Sequence, residues 1–93
     1  MIARIWHGWT THENAGVYEN LLKTEVFPSI KRIHKYEVEY ITMMFFDKIQ
    51  SVKEFAGEDY EKSYVPAKAR TILSRHDERA QHYEIINEIN YVI

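Results

Sequence analysis

The chain has 93 residues, no cysteine, and a formal charge of −2 from 12 Lys plus Arg against 14 Asp plus Glu. That length makes one domain, residues 1–93, with a thin core, for which self-association is a natural way to bury more surface. The missing thiols exclude a disulfide frame and a thiolate metal site, and the charge gives no electrostatic case for binding nucleic acid or an anionic membrane.

No apolar run approaches the ~20 residues of a membrane helix. Arg4, His7 and Thr10 interrupt any signal-peptide core, so a reducing cytoplasm is the expected location.

In chain order, Ile2 to Trp9 reads as a strand of β-branched and aromatic residues. Its period of two puts Ile2, Arg4, Trp6 and Gly8 on one face and Ala3, Ile5, His7 and Trp9 on the other. Thr10-Thr11-His12-Glu13 has the form of a capping box and opens a helix with an apolar stripe of Tyr18, Leu21, Leu22 and Val26. Pro28 disfavours helical geometry at Phe27, with one further helical turn expected over Ser29 to Ile33. Glu37 to Phe46 is the strongest strand. Its second half, Ile41 to Phe46, is apolar on both sides and must be covered twice, once by helices and once by a partner subunit's sheet.

Asp47 to Gly57 reads as a short helix with an apolar stripe of Ile49, Val52, Phe55 and Ala56, stopped by Gly57 at the C′ position. Tyr60 and Tyr64 lie on a connector. Pro66 opens another helix, with Ala69, Ile72 and Leu73 inward. Arg79 to Ile86 is the last expected strand, and the apolar tail Asn87 to Ile93 is expected to dock on a sheet edge or a partner.

Four segments carry a family resemblance: Met1-Ile2-Ala3-Arg4-Ile5-Trp6, Phe55-Ala56-Gly57-Glu58-Asp59-Tyr60, Val65-Pro66-Ala67-Lys68-Ala69 and His82-Tyr83-Glu84-Ile85. Together with the Thr10-led helix they resemble the antibiotic biosynthesis monooxygenase-like family of dimeric α/β barrels. The resemblance implies an α+β, ferredoxin-like βαββαβ fold: an antiparallel sheet with helices on one face, paired into a homodimer. The chain departs from that pattern in one place. Only His34-Lys35-Tyr36 separates Ile33 from Glu37, so the second strand is expected to be missing.

Family members that oxygenate without metal or flavin use a pocket between sheet and helices, so no cofactor is expected. They deprotonate a phenol or hydroquinone, whose anion then passes an electron to oxygen. That chemistry needs a dry pocket, a base and donors that hold the substrate. By the resemblance His82 is the candidate base; His7, beside Trp6 on the first strand, is the second candidate, and Trp6 and Tyr83 shape the pocket or orient the substrate. Arg4 either binds a substrate oxygen anion or snorkels between layers. The plainer reading of each histidine is a hydrogen-bonded strand residue at a surface or dimer contact.

The haem-degrading branch does not fit. The first strand lacks Asn, Phe46 stands where a Trp would be expected, and the connector near Tyr64 has no His. No metal site is expected either: the spacing of His76 and His82 is not a ligand pattern, and Glu37 with Glu39 reads as a solvated rim.

Two functions follow. One is a cofactor-independent monooxygenase of a small aromatic or quinol-like compound; the other is a non-catalytic or small-ligand-binding dimeric α/β barrel protein. Convergence of Trp6, His7, His82 and Tyr83 on one cavity would favour the first.

Overall fold

β-branched and aromatic residues on both faces form strand β1 (Ile2–Thr10), the centre of the sheet in the computed structural model, which describes residues 1–25 and 27–88. Helix α1 (His12–Glu25), strands β2 (Ser29–Ile33) and β3 (Val38–Phe46), helices α2 (Ile49–Ala56) and α3 (Ala67–Ile72), and strands β4 (Arg75–His76) and β5 (Gln81–Glu84) follow. The result is an α+β fold of βαββαβ-like order. Its sheet has five strands in the order β2-β3-β1-β4, with β5 also on β1, and every pairing is antiparallel. This order is compatible with a ferredoxin-like arrangement. Among the described residues, no helix is long and apolar enough to cross a membrane.

The second strand is present, contrary to the sequence expectation. Ser29–Ile33 forms β2, not a helical turn, and pairs with β3 from Ser29↔Thr42 to Ile33↔Val38. Room exists because the strand occupies residues assigned to the end of the preceding helix, and His34 to Glu37 alone make the hairpin turn. The turn is closed by the His34 N–H donating to the Glu37 carbonyl at 2.9 Å. Pro28 adds one rung, accepting from the Met43 N–H at 3.1 Å. Lys31 and Arg32 then charge an exposed edge strand, a pattern that opposes edge-to-edge pairing.

The helix cap lies one residue later than expected. Thr10 remains in β1 opposite Val38, and its fully buried hydroxyl donates to the Ile72 carbonyl at 2.6 Å. Thr11 caps α1 instead, its Oγ1 accepting from the Asn14 N–H at 3.2 Å. Gly57 ends α2 as expected; its N–H donates to the Lys53 carbonyl at 2.7 Å, and its φ of 92° lies where L side chains are strained.

The last strand is split. β3 occupies one edge of β1 along its whole length, so β4 and β5 share the other: Gly8 and Trp9 meet β4, Ile2 to Ile5 meet β5. Between them Trp6 and His7 face the four residues Asp77 to Ala80, a bulge that bends the strand. Residues 59–63 cover this bulge. Lys62 bridges to Arg79, and the Ala80 N–H donates to the Glu61 carbonyl at 2.7 Å.

The helices make their contacts on one sheet face. Tyr18 of α1 packs on Tyr40 at 4.8 Å between ring centroids, and Phe55 of α2 on Phe46 at 5.5 Å. Val65, Ala69 and Leu73 from α3 and its flanks join Tyr18, Val38 and Tyr40 in the core. The opposite face carries Ile5, Ile41 and Met43 together with Ile30, Phe45 and Tyr83, the last three each more than half exposed. The expected docking of the tail at residues 89–93 and the inward role of Val26 lie outside the described residues.

Candidate functional site

Strand alternation and register assemble a cleft between the sheet and the helices. Arg4 and Trp6 of β1 stand opposite Met44 and Thr42 of β3, and directly paired residues of antiparallel strands share a face. These four side chains line the cleft, with Leu22 of α1 and Phe55 of α2 among its walls. Phe55 and the connector residue Tyr64 are exposed at its edge. The cleft is small, with a cavity volume of about 70 Å³, below the range that drug-sized ligands occupy.

Arg4 is the unusual member. Only 7% of it is exposed, and no carboxylate among the described residues lies within salt-bridge distance of it. Its guanidinium is held by neutral acceptors: Nη1 donates to the Tyr60 carbonyl and to His82 Nε2 at 3.0 Å, and Nη2 to the Lys62 carbonyl at 3.4 Å. Its Cζ lies 5.8 Å from the Phe55 ring centroid. Burial lowers its pKa from the ordinary arginine value, the direction expected when a charge is taken from water without a counter-charge.

His82 of β5 stands opposite Arg4 on the same face. Because the guanidinium can only donate, His82 Nε2 must accept, which assigns the ring proton to Nδ1. That nitrogen is buried, with no hydrogen-bond partner among the described residues. Burial first, and then the Arg4 charge, depress the His82 pKa, with Glu61 opposing them. The Tyr60 ring meets the imidazole edge-on at 5.1 Å.

The Trp6 indole is fixed at the bulge. Its Nε1 donates to the Asp77 carbonyl at 2.9 Å and to Ser63 Oγ at 3.0 Å. Gly8 allows the ring to lie along the strand, since a Cβ there would come within 3.1 Å of Trp6 Cη2 and 3.2 Å of Leu73 Cδ1.

His7 and Tyr83 occupy the other face of the sheet. His7 hydrogen-bonds Asp77 Oδ2 through Nδ1 at 2.9 Å, and its own backbone N–H donates to the same oxygen at 2.9 Å. Its Nε2 lies 3.9 Å from Glu39, which also pairs with His34 at 3.0 Å. Glu39 is thus a partner for two histidines, and its neighbour Glu37 pairs with Arg75 at 2.7 Å. Among the described residues, no group of His, Asp and Glu is arranged to hold a metal ion.

The sequence candidates therefore divide. Arg4, Trp6 and His82 share the helix-covered face; His7 and Tyr83 do not. No family model, curated protein or solved structure matches the chain. Sequence reasoning passed over Thr42 and Met44, which register alone brings opposite Trp6 and Arg4, and Tyr60 and Lys62, whose carbonyls hold Arg4. The alternation in β3 was the available signal for the first pair. No sequence signal marks the carbonyls.

Proposed function

We propose that this chain is a small-ligand-binding protein of the dimeric α/β-barrel type, and that its cleft takes a small aromatic compound. The carrying observation is the cleft itself: an apolar wall of Trp6, Leu22, Met44 and Phe55 with few polar groups, Arg4 and Thr42 chief among them. The ferredoxin-like arrangement is supported by the strand order, and self-pairing by the exposed apolar sheet face around Phe45. Titration calorimetry with naphthoate and naphthamide tests this reading. Saturable binding of either, abolished by Met44→Trp filling the cleft, is expected; absence of saturable binding to both overturns it.

A cofactor-independent monooxygenase is the second reading. The place of His82 on the helix-covered face is what keeps it open, but the Nε2 lone pair is engaged by Arg4, so the imidazole acts as a base only if that contact is released. The division of the candidate residues between two faces argues for binding over catalysis. Oxygen consumption with hydroquinones and anthrones separates the two, with His82→Ala expected to lose about 10²–10⁴-fold in rate if the histidine is the base.

A further inference from the structure

We infer that the ligand of the cleft is an anion, a small aromatic carboxylate or phenolate whose charged oxygen is recognised by Arg4. This rests on the small-ligand reading above and specifies its chemistry. Arg4 is more than nine-tenths buried, lines the cleft, and has no acidic partner among the described residues. A guanidinium stays charged in proteins and its burial is costly unless an opposite charge meets it.

Its acceptors among the described residues are two carbonyls and one imidazole nitrogen. They satisfy some of the five N–H donors and none of the charge. An arginine fork matches a planar carboxylate by two parallel hydrogen bonds. Around it, Trp6, Phe55 and Met44 offer the apolar and aromatic surfaces that an aromatic body needs. Glu25 is the one acidic side chain among the described lining residues. It is exposed, so solvent screens its repulsion. His82 contributes through Arg4, not through the ligand: its lone pair fixes the guanidinium, and a proton there would break that contact.

A merely structural role for Arg4, tethering residues 60–62 to the sheet, predicts lost stability on substitution but no preference for charge in the ligand. The test compares naphthoate with naphthamide, which share shape and differ in charge, on wild-type protein, Arg4→Lys and Arg4→Met. Naphthoate is expected to bind wild type about tenfold or more tighter than naphthamide, as a charge-assisted hydrogen bond warrants. The preference should shrink in Arg4→Lys and vanish in Arg4→Met. Equal wild-type affinities overturn the inference while leaving the small-ligand reading intact. A preference that persists in Arg4→Met overturns it as well. If neither compound binds, the small-ligand reading fails and takes the inference with it. The wild-type comparison decides the matter even if Arg4→Met does not fold.

Discussion

At Arg4 and His82 the chain sets a buried cation against a neutral imidazole, and the pH dependence of stability follows. The His82 pKa in the folded state is lowered from the ordinary 6.5, first by burial and then by the Arg4 charge. Below that value the unfolded chain takes up a proton that the folded chain resists, so stability falls with acidification. The loss begins near pH 6.5 and continues down to the depressed folded value. Melting temperatures should therefore fall between neutral pH and pH about 5 more steeply in wild type than in His82→Gln; parallel curves would refute this. Tyr40 gives a second prediction at this scale. Its hydroxyl donates to Glu19 Oε2 at 2.7 Å and to the Ala15 carbonyl at 3.2 Å. Burial and Glu19 both raise the Tyr40 pKa, while Tyr40 holds the Glu19 carboxyl below the usual range. Tyr40→Phe should cost about 1 kcal/mol in denaturant unfolding, and the Glu19 titration followed by NMR should move up.

At the scale of elements, the split of the last strand depends on Asp77. Its carboxylate accepts from the His7 backbone and ring, and its carbonyl accepts from Trp6 and Ser63. Asp77→Ala should destabilise by about 1–3 kcal/mol, because a partly buried N–H loses its acceptor. Amide exchange should speed up first at His7 and in β4. Asp77→Asn keeps an acceptor oxygen and should lose less. Gly57 stops α2 at φ 92° and ψ −177°, and none of the described residues comes near its missing side chain. Gly57→Ala should thus cost about 1–3 kcal/mol from backbone strain alone. An unchanged unfolding midpoint would show that the turn adapts.

At the scale of the molecule, one sheet face is covered by helices and the other presents Ile5, Ile30, Met43, Phe45 and Tyr83. Phe45 is 57% exposed, and register sets it and Tyr83 on either side of Ala3. An exposed apolar patch on the open sheet face of a 93-residue chain is the surface through which two copies would pair. Light scattering should find a dimer at micromolar concentration, and Phe45→Glu should give a folded monomer. A wild-type monomer, or a dimer indifferent to Phe45→Glu, would count against pairing through this face.

Much of this architecture is legible in local pattern. Period-two alternation places Arg4 and Trp6 together and His7 opposite them, and a glycine free to take positive φ ends α2, because both effects depend on neighbouring residues alone. β2 was not legible. Ser29 to Ile33 has weak helical and weak strand character, and only its hydrogen bonds to β3 settle the choice. The cap behaved the same way: Thr10 and Thr11 are chemically alike, and the buried Ile72 carbonyl decides which one leaves the helix. The candidate site divides along the same line. Residue types named Arg4, Trp6 and His82, but register across the sheet brought Met44 and Thr42 beside them, and the path of the connector brought the Tyr60 and Lys62 carbonyls to Arg4. Backbone groups carry no sequence identity and pairing register is a non-local property, so those parts of the site were decided only when the chain had folded.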